Sequence, residues 1–180
     1  MKTVFFDVDT QLDFISPCGA LYVPGAEAIV PALARLTRFA ADHAIPVIST
    51  LDTHQENDPE FPRYRFPAHC VEGTWGHAKI GATLGAPRQR FIKKSGFDCF
   101  ASAELSPALD ELKAERYVVY GVVTEICVQC AAMGLLRTGA RVELVEDAVK
   151  ELDEAKAQAF LVEFVGKGGV LTTVDRVCGV

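Results

Sequence analysis

Short β-branched and aromatic runs alternate with longer stretches of helical period along this chain, and no other feature limits its fold as much. Val4-Phe5-Phe6, Pro46 to Leu51, Phe91-Ile92, Tyr117 to Tyr120, Arg141 to Val145 and Val170 to Val174 read as strands. Between them, Ala26 to His43 sets Ile29, Leu33, Leu36 and Ala40 at helical spacing. Leu105, Leu109 and Leu112 mark a second helix, and Cys127 to Arg137 and Leu152 to Val165 two more. Apolar strands alternating with helices need cover on both faces. The expectation is an α/β fold of three layers, α-β-α, around a mostly parallel, roughly six-stranded central sheet. One domain over residues 1–180 accounts for the whole length.

In such sheets ligands bind beyond the carboxyl ends of the strands. Asp9 follows the first strand, Asp52 and His54 the second, Lys94 the third, and Cys127 lies shortly after Tyr120 at the start of a helix. A carboxylate, an ammonium and a thiol on one sheet edge can meet although distant in sequence. A helix N-terminus and a nearby ammonium favour the thiolate. A carboxylate can take the thiol proton and return it to a leaving amine. From spacing alone the bland alternative is equally good: Asp9 and Lys94 as an ordinary ion pair, Cys127 as a small buried hydrophobe.

From Asp52 to Pro87 helical or strand periodicity is weak. A stretch this long inside a compact domain is usually functional or disordered, and Phe61, Tyr64, Phe66 and Trp75 argue against disorder. The net charge of -6, with scattered Lys and Arg, argues against nucleic acid or an acidic membrane surface as partner. No apolar run is long enough to span a bilayer. With no secretory pattern, the six cysteines suit a reduced cytoplasm better than a disulfide framework. Assembly into a homo-oligomer is left open.

Three segments together bring in a family. Asp9-Thr10-Gln11-Leu12-Asp13-Phe14, Lys94 at its spacing from Phe100, and Gly121-Val122-Val123-Thr124-Glu125-Ile126-Cys127-Val128 resemble, in order, the opening motif, lysine and nucleophile segment of the nicotinamidase and isochorismatase-like cysteine hydrolases. Lys93 fails the spacing to Phe100. The resemblance runs from about Val4 to Asp147. It implies a catalytic set of Asp9, Lys94 and Cys127, an oxyanion hole from the backbone N–H groups of Val123 and Cys127, a cis peptide at Val122-Val123, and pocket aromatics at Phe14 and Phe66. The implied reaction is hydrolysis of a small-molecule amide, nicotinamide and pyrazinamide first. A carbamoyl or ureido substrate, or a catalytically silent ligand-binding relative, is the alternative.

The long segment narrows the resemblance further. Asp52-Thr53-His54 and Phe66-Pro67-Ala68-His69-Cys70-Val71-Glu72-Gly73 are similar to the metal segment of nicotinamidases. They imply one divalent ion on Asp52, His54 and His69. Zinc is the leading expectation, although mixed nitrogen and oxygen donors suit iron or manganese as well. Glu60 stands near where relatives place another histidine. It is either a fourth ligand or a solvated loop carboxylate beside Glu56 and Asp58, and the two readings balance. Cys130 reads as core filler, His43 as a residue favouring a helix C-terminus, and His77 has no assigned role.

Overall fold

In a computed structural model, residues 1–179 are described. The elements run β1 (Thr3–Val8), α1 (Leu12–Ile15), α2 (Val30–Asp42), β2 (Val47–Asp52), α3 (Glu60–Tyr64), β3 (Gln89–Lys94), α4 (Leu105–Leu112), β4 (Arg116–Val122), α5 (Gln129–Leu136), β5 (Arg141–Lys150), α6 (Glu154–Gly166), β6 (Val170–Thr172) and α7 (Val174–Cys178). The six strands form one sheet in the order β3-β2-β1-β4-β5-β6, every neighbouring pair parallel. The order reverses beside β1, between β1 and β4. Crevices at carboxyl ends form at such a reversal, and the sequence puts Asp9 and Cys127 there.

The central strands bury both faces. Val4, Phe6 and Val8 of β1 and Tyr117 and Val119 of β4 pack with Leu105 and Leu109 of α4, Leu135 of α5, and Phe160 and Phe164 of α6. On the other face Phe5, Val118, Tyr120 and Val122 meet Phe14 of α1, Leu33 and Leu36 of α2, and Val174 and Val177 of α7. The two cores are the physical reason the strands read as unbroken apolar runs rather than as alternation. Among the described residues no helix is long and apolar enough to cross a membrane.

Several element boundaries differ from the sequence reading. The fifth strand extends to Lys150 because the β4–β5 register shifts between Val119 and Gly121, and Glu146 and Asp147 sit in that irregularity, interrupting the apolar run. The sixth strand stops at Thr172: the Thr173 side chain accepts the Arg176 N–H and starts α7, so Val174 belongs to a helix. The third strand covers Gln89–Lys94. It is an edge strand with Ile92 and Lys94 inward and Phe91 and Lys93 outward, a period of two that a two-residue apolar run does not reveal. The long segment after β2 holds α3 and a 3₁₀ turn at Gly81–Thr83.

Gly121 is where the sheet tolerates no side chain. Its φ is +119°, and a Cβ there would stand 2.1 Å from the Val8 carbonyl oxygen on β1. Backbone strain and the clash together predict that Gly121→Ala costs about 2–4 kcal/mol. Gly139→Ala, at φ +81° but with nothing within 4 Å of the new Cβ, should cost only about 1 kcal/mol. Urea unfolding of the two variants measures the difference. Equal losses would mean that β1 and β4 part easily.

Candidate active site

Strand ends deliver the polar groups. Asp9, one residue past β1, takes φ +48° and leaves the strand's alternation, which turns its fully buried side chain toward the end of β3. The Thr50 hydroxyl on β2 serves it twice, donating to Oδ1 at 2.6 Å and accepting the Asp9 N–H at 3.2 Å. Lys94, the last residue of β3, points inward by strand parity and is 5% exposed. Lys93 points outward and pairs with Glu72. The Lys94 Nζ lies 2.9 Å from Asp9 Oδ2 and 3.1 Å from Asp52 Oδ1, donates to the Gly96 carbonyl at 2.8 Å, and stands 3.6 Å from Cys127 Sγ. The structure therefore brings Asp9, Lys94 and Cys127 together around one ammonium.

Cys127 sits in a π-helical turn, Thr124–Val128, that leads into α5. The turn follows the Val122-Val123 peptide, which is cis as the resemblance implies. Such π turns are rare and occur often at functional sites. Val123 and Cys127 both face the same cavity.

Electrostatics divides the three groups. Burial alone would lower the Lys94 pKa, but Asp9, Cys127 and Asp52 outweigh it and hold the ammonium charged. Burial pushes the Cys127 thiol well up. Lys94 opposes that, and the negative charges of Asp9 and Asp52 add to it. Burial and the two carboxylates thus favour the neutral thiol, where a helix start and an ammonium by themselves would favour the thiolate.

A second cluster adjoins the first through Asp52. Its Oδ2 lies 3.0 Å from His54 Nε2 and 3.3 Å from His69 Nε2, while its Oδ1 faces Lys94. All three residues are buried, and their donor atoms lie within 4.8 Å of one another. His69 Nδ1 is 2.9 Å from the Pro67 carbonyl, an acceptor only, so that nitrogen carries the hydrogen and Nε2 is left to bind a cation. His54 Nδ1 stands 3.0 Å from Asp58 Oδ2. Two donors bound tetrahedrally to one zinc stand roughly 3.3–3.5 Å apart, so the two spacings to Asp52 are close to those of donors sharing an ion. Burial works against charging His54, yet contacts with Asp52 and Asp58 carry its pKa up to about 9. Lys94 and the two histidines hold the Asp52 carboxyl far below the usual range against the effect of its burial.

Glu60 does not join this cluster. Its carboxylate lies by Gly96, at the N-terminus of α3, where burial and the charge of Asp52 raise its pKa. The carboxylate of this loop that reaches a histidine is Asp58, which the sequence reading grouped with the solvated ones. Nothing in the local sequence distinguishes the two.

The cavity between the clusters is walled by Phe14, Phe66, Phe97, Leu21, Ile126 and Leu152. Asp9, Asp52, His69 and Cys127 are its polar lining, and among the described residues no Lys or Arg lines it. Phe14 and Phe66 each stand within 6 Å of the His69 ring, at 5.7 and 5.8 Å between centroids. Phe97 was missed because it follows β3 in a turn without period. His43 closes α2 as expected. His77 Nε2 meets the Thr53 hydroxyl at 3.0 Å. All six cysteines are free, and Cys130 is half-buried one turn beyond Cys127.

Residues 3–176 match the isochorismatase domain. The chain belongs to the isochorismatase family. Within it the chain is similar to a nicotinamidase of Acinetobacter baylyi, 27% identical over 178 residues that cover 81% of this chain and 80% of that one. The pyrazinamidase of Pyrococcus horikoshii, solved in complex with zinc, superposes with a TM-score of 0.89 at 28% identity, covering 96% of this chain and 99% of that chain. PnC1 of L. infantum, solved with nicotinate, gives 0.83 at 28% identity over 96% and 92% of the two chains. With this family and these relatives, the chain is an amidohydrolase.

The opposed electrostatic effects predict opposite shifts in thiol reactivity. Asp9→Asn removes a charge that raises the Cys127 pKa, so alkylation by iodoacetamide should begin at lower pH than in the parent. Lys94→Ala removes the charge that lowers it, so alkylation should begin at higher pH. Both should lose most amide hydrolysis, about 10²-fold or more. Shifts in one direction for both would mean that Asp9 and Lys94 act on the sulfur only as a pair.

Proposed function

We propose that the chain hydrolyses the carboxamide of a neutral aromatic amide, with nicotinamide as first substrate and pyrazinamide as second, through a thioester on Cys127. One observation carries the choice of substrate: the cavity beside Cys127 is aromatic and aliphatic, its polar side is the Asp52–His69 edge, and among the described residues no Lys or Arg lines it. Lys94 is already surrounded by Asp9, Asp52 and the Gly96 carbonyl. A carbamoyl or ureido acid would bring a carboxylate against Asp9 and Asp52 with no Lys or Arg among the described lining residues to pair with it, which is costly at a buried site. A flat uncharged ring suits walls made by Phe14, Phe66 and Phe97. The nicotinamidase and pyrazinamidase names of the relatives support the same reading.

In this mechanism the Cys127 thiol gives its proton to Asp9 as the sulfur attacks the carboxamide carbon. Lys94 stays protonated and offsets the negative charge passing between sulfur and carboxylate. The N–H groups of Val123 and Cys127 hold the oxyanion, usually a large part of the rate enhancement. The C–N bond breaks as Asp9 returns the proton to the amine, and ammonia leaves. Asp9 then takes a proton from water, whose oxygen attacks the thioester carbon. The acid departs, and the proton goes back to the sulfur. Asp52, His54 and His69 would hold one divalent ion, zinc by analogy with the Pyrococcus horikoshii enzyme. It would supply an electrophilic anchor for a ring nitrogen, a templating role.

Ammonia release tests this. The parent should turn over nicotinamide and pyrazinamide, and Cys127→Ala should lose at least about 10³-fold in kcat/KM while staying folded. Turnover of a ureido acid but not of nicotinamide would leave the chemistry and refute the substrate. In purified protein, His54→Ala and His69→Ala should lose the ion, whereas Glu60→Gln should keep it. Loss of metal in Glu60→Gln would show that Glu60 swings in as a ligand.

A further inference from the structure

Two residues of the opening motif, Gln11 and Asp13, have no part in the mechanism above, yet both are buried polar groups at the site. Gln11 is fully buried. Its Oε1 accepts the Asp52 N–H at 2.8 Å, and its Nε2 donates to the Asp52 carbonyl at 2.8 Å and to the His77 carbonyl at 2.9 Å. The amide thus bonds Asp52 on both sides of its Cα, as a neighbouring strand would. It extends the β1–β2 pairing, last registered at Asp7 and Ser49, past the end of β1. Only one orientation of the amide satisfies all three partners.

Asp13 makes the corresponding contact on the other side of the metal cluster. Its Oδ2 accepts the Cys70 N–H at 2.7 Å and its Oδ1 the Ala20 N–H at 2.8 Å. Cys70 follows His69 directly and takes φ +46°, a conformation disfavoured for a side-chain-bearing residue. From there its carbonyl accepts the His54 N–H at 3.1 Å. One backbone unit therefore joins Asp13 to both histidine segments. Gly76 closes the other side of the carboxylate: a Cβ there would lie 2.1 Å from the Asp13 carboxyl atoms.

We infer that Gln11 and Asp13 are positioning residues for the metal ligands, acting through the backbones of Asp52 and Cys70 to set the separation of Asp52, His54 and His69. Asp9, Gln11 and Asp13 then divide one short segment between proton transfer and ligand placement. The inference rests on the proposed metal site. Buried groups that orient ligands commonly change metal affinity by about 10–100-fold when removed.

The test measures Zn²⁺ affinity by chelator competition and the visible absorption of Co²⁺-loaded protein, in the parent and in Gln11→Glu, Asp13→Asn and Gly76→Ala. Gln11→Glu removes the two N–H donors and keeps the acceptor. Gly76→Ala displaces the Asp13 carboxylate without altering it, and so provides a second route if Asp13→Asn does not fold. Each folded variant should bind Zn²⁺ about 10–100-fold more weakly, with altered Co²⁺ bands reporting a changed ligand arrangement. Thermal unfolding in chelator separates this from a general loss of stability. Variants that melt earlier in chelator but keep the parent's affinity and Co²⁺ spectrum would overturn the inference and leave the metal site standing. A parent that binds neither ion would overturn both. A His69→Ala protein that binds as the parent does would place the ion elsewhere, with the same result.

Discussion

A single buried ammonium organises this end of the molecule. Lys94 sits on an edge strand, yet its Nζ is surrounded by Asp9 from β1, Asp52 from β2 and the sulfur that follows β4. A buried charge is tolerated only where partners replace its water, and removing one partner leaves the others uncompensated. Asp9 in turn depends on Thr50, and Asp52 on Gln11. The ends of four parallel strands are thereby tied at one atom. Such a knot contributes little stability that a well-packed apolar cluster would not. What it supplies is a fixed arrangement of charge next to the thiol.

Much of this was legible in the sequence, for reasons specific to each residue. Strand cores showed as apolar runs because both faces of the sheet are covered, and the strand ends then located Asp9, Asp52, Lys94 and Cys127. Parity explains why Lys94 rather than Lys93 turns inward, but the run Phe91-Ile92 was too short to establish that parity, and the choice came from the resemblance. Boundaries failed where charge interrupts a strand, as at Glu146 and Asp147, or where a cap residue starts a helix, as at Thr173. The loop carboxylates were opaque. Asp58 and Glu60 are two residues apart with the same charge, and only the path of the chain before α3 sends one to His54 and the other to Gly96.

The state of the thiol was also hidden from sequence reasoning. Proximity of an ammonium and a helix start argued for a thiolate, but neither burial nor the sign of the nearest carboxylate follows from spacing. In the folded chain desolvation is the largest effect on Cys127, and Asp9 adds to it. A neutral resting thiol suits the proposed proton transfer: a carboxylate that raises the sulfur's pKa is by the same charge the group best placed to take its proton during attack.

The charge of the whole constellation points the same way. Asp9 and Asp52 bring two negative charges into a dry region and Lys94 returns one, with Asp58 adding a further carboxylate beside His54. The deficit explains why His54, which burial would keep neutral, is driven up to about 9. The carboxylates therefore favour a proton on the His54 nitrogen that faces Asp52. A divalent ion among Asp52, His54 and His69 would meet the same deficit with a stronger charge, so proton and ion compete for one position. Two imidazole nitrogens and a carboxylate oxygen that share a common centre make an arrangement that favours a cation, whether the proton on His54 or an ion that displaces it. In the proposed reading, an ion held there would turn the Asp52–His69 edge of the cavity electropositive, opposite the apolar walls, and would give a ring with one electron-rich nitrogen a defined way to enter.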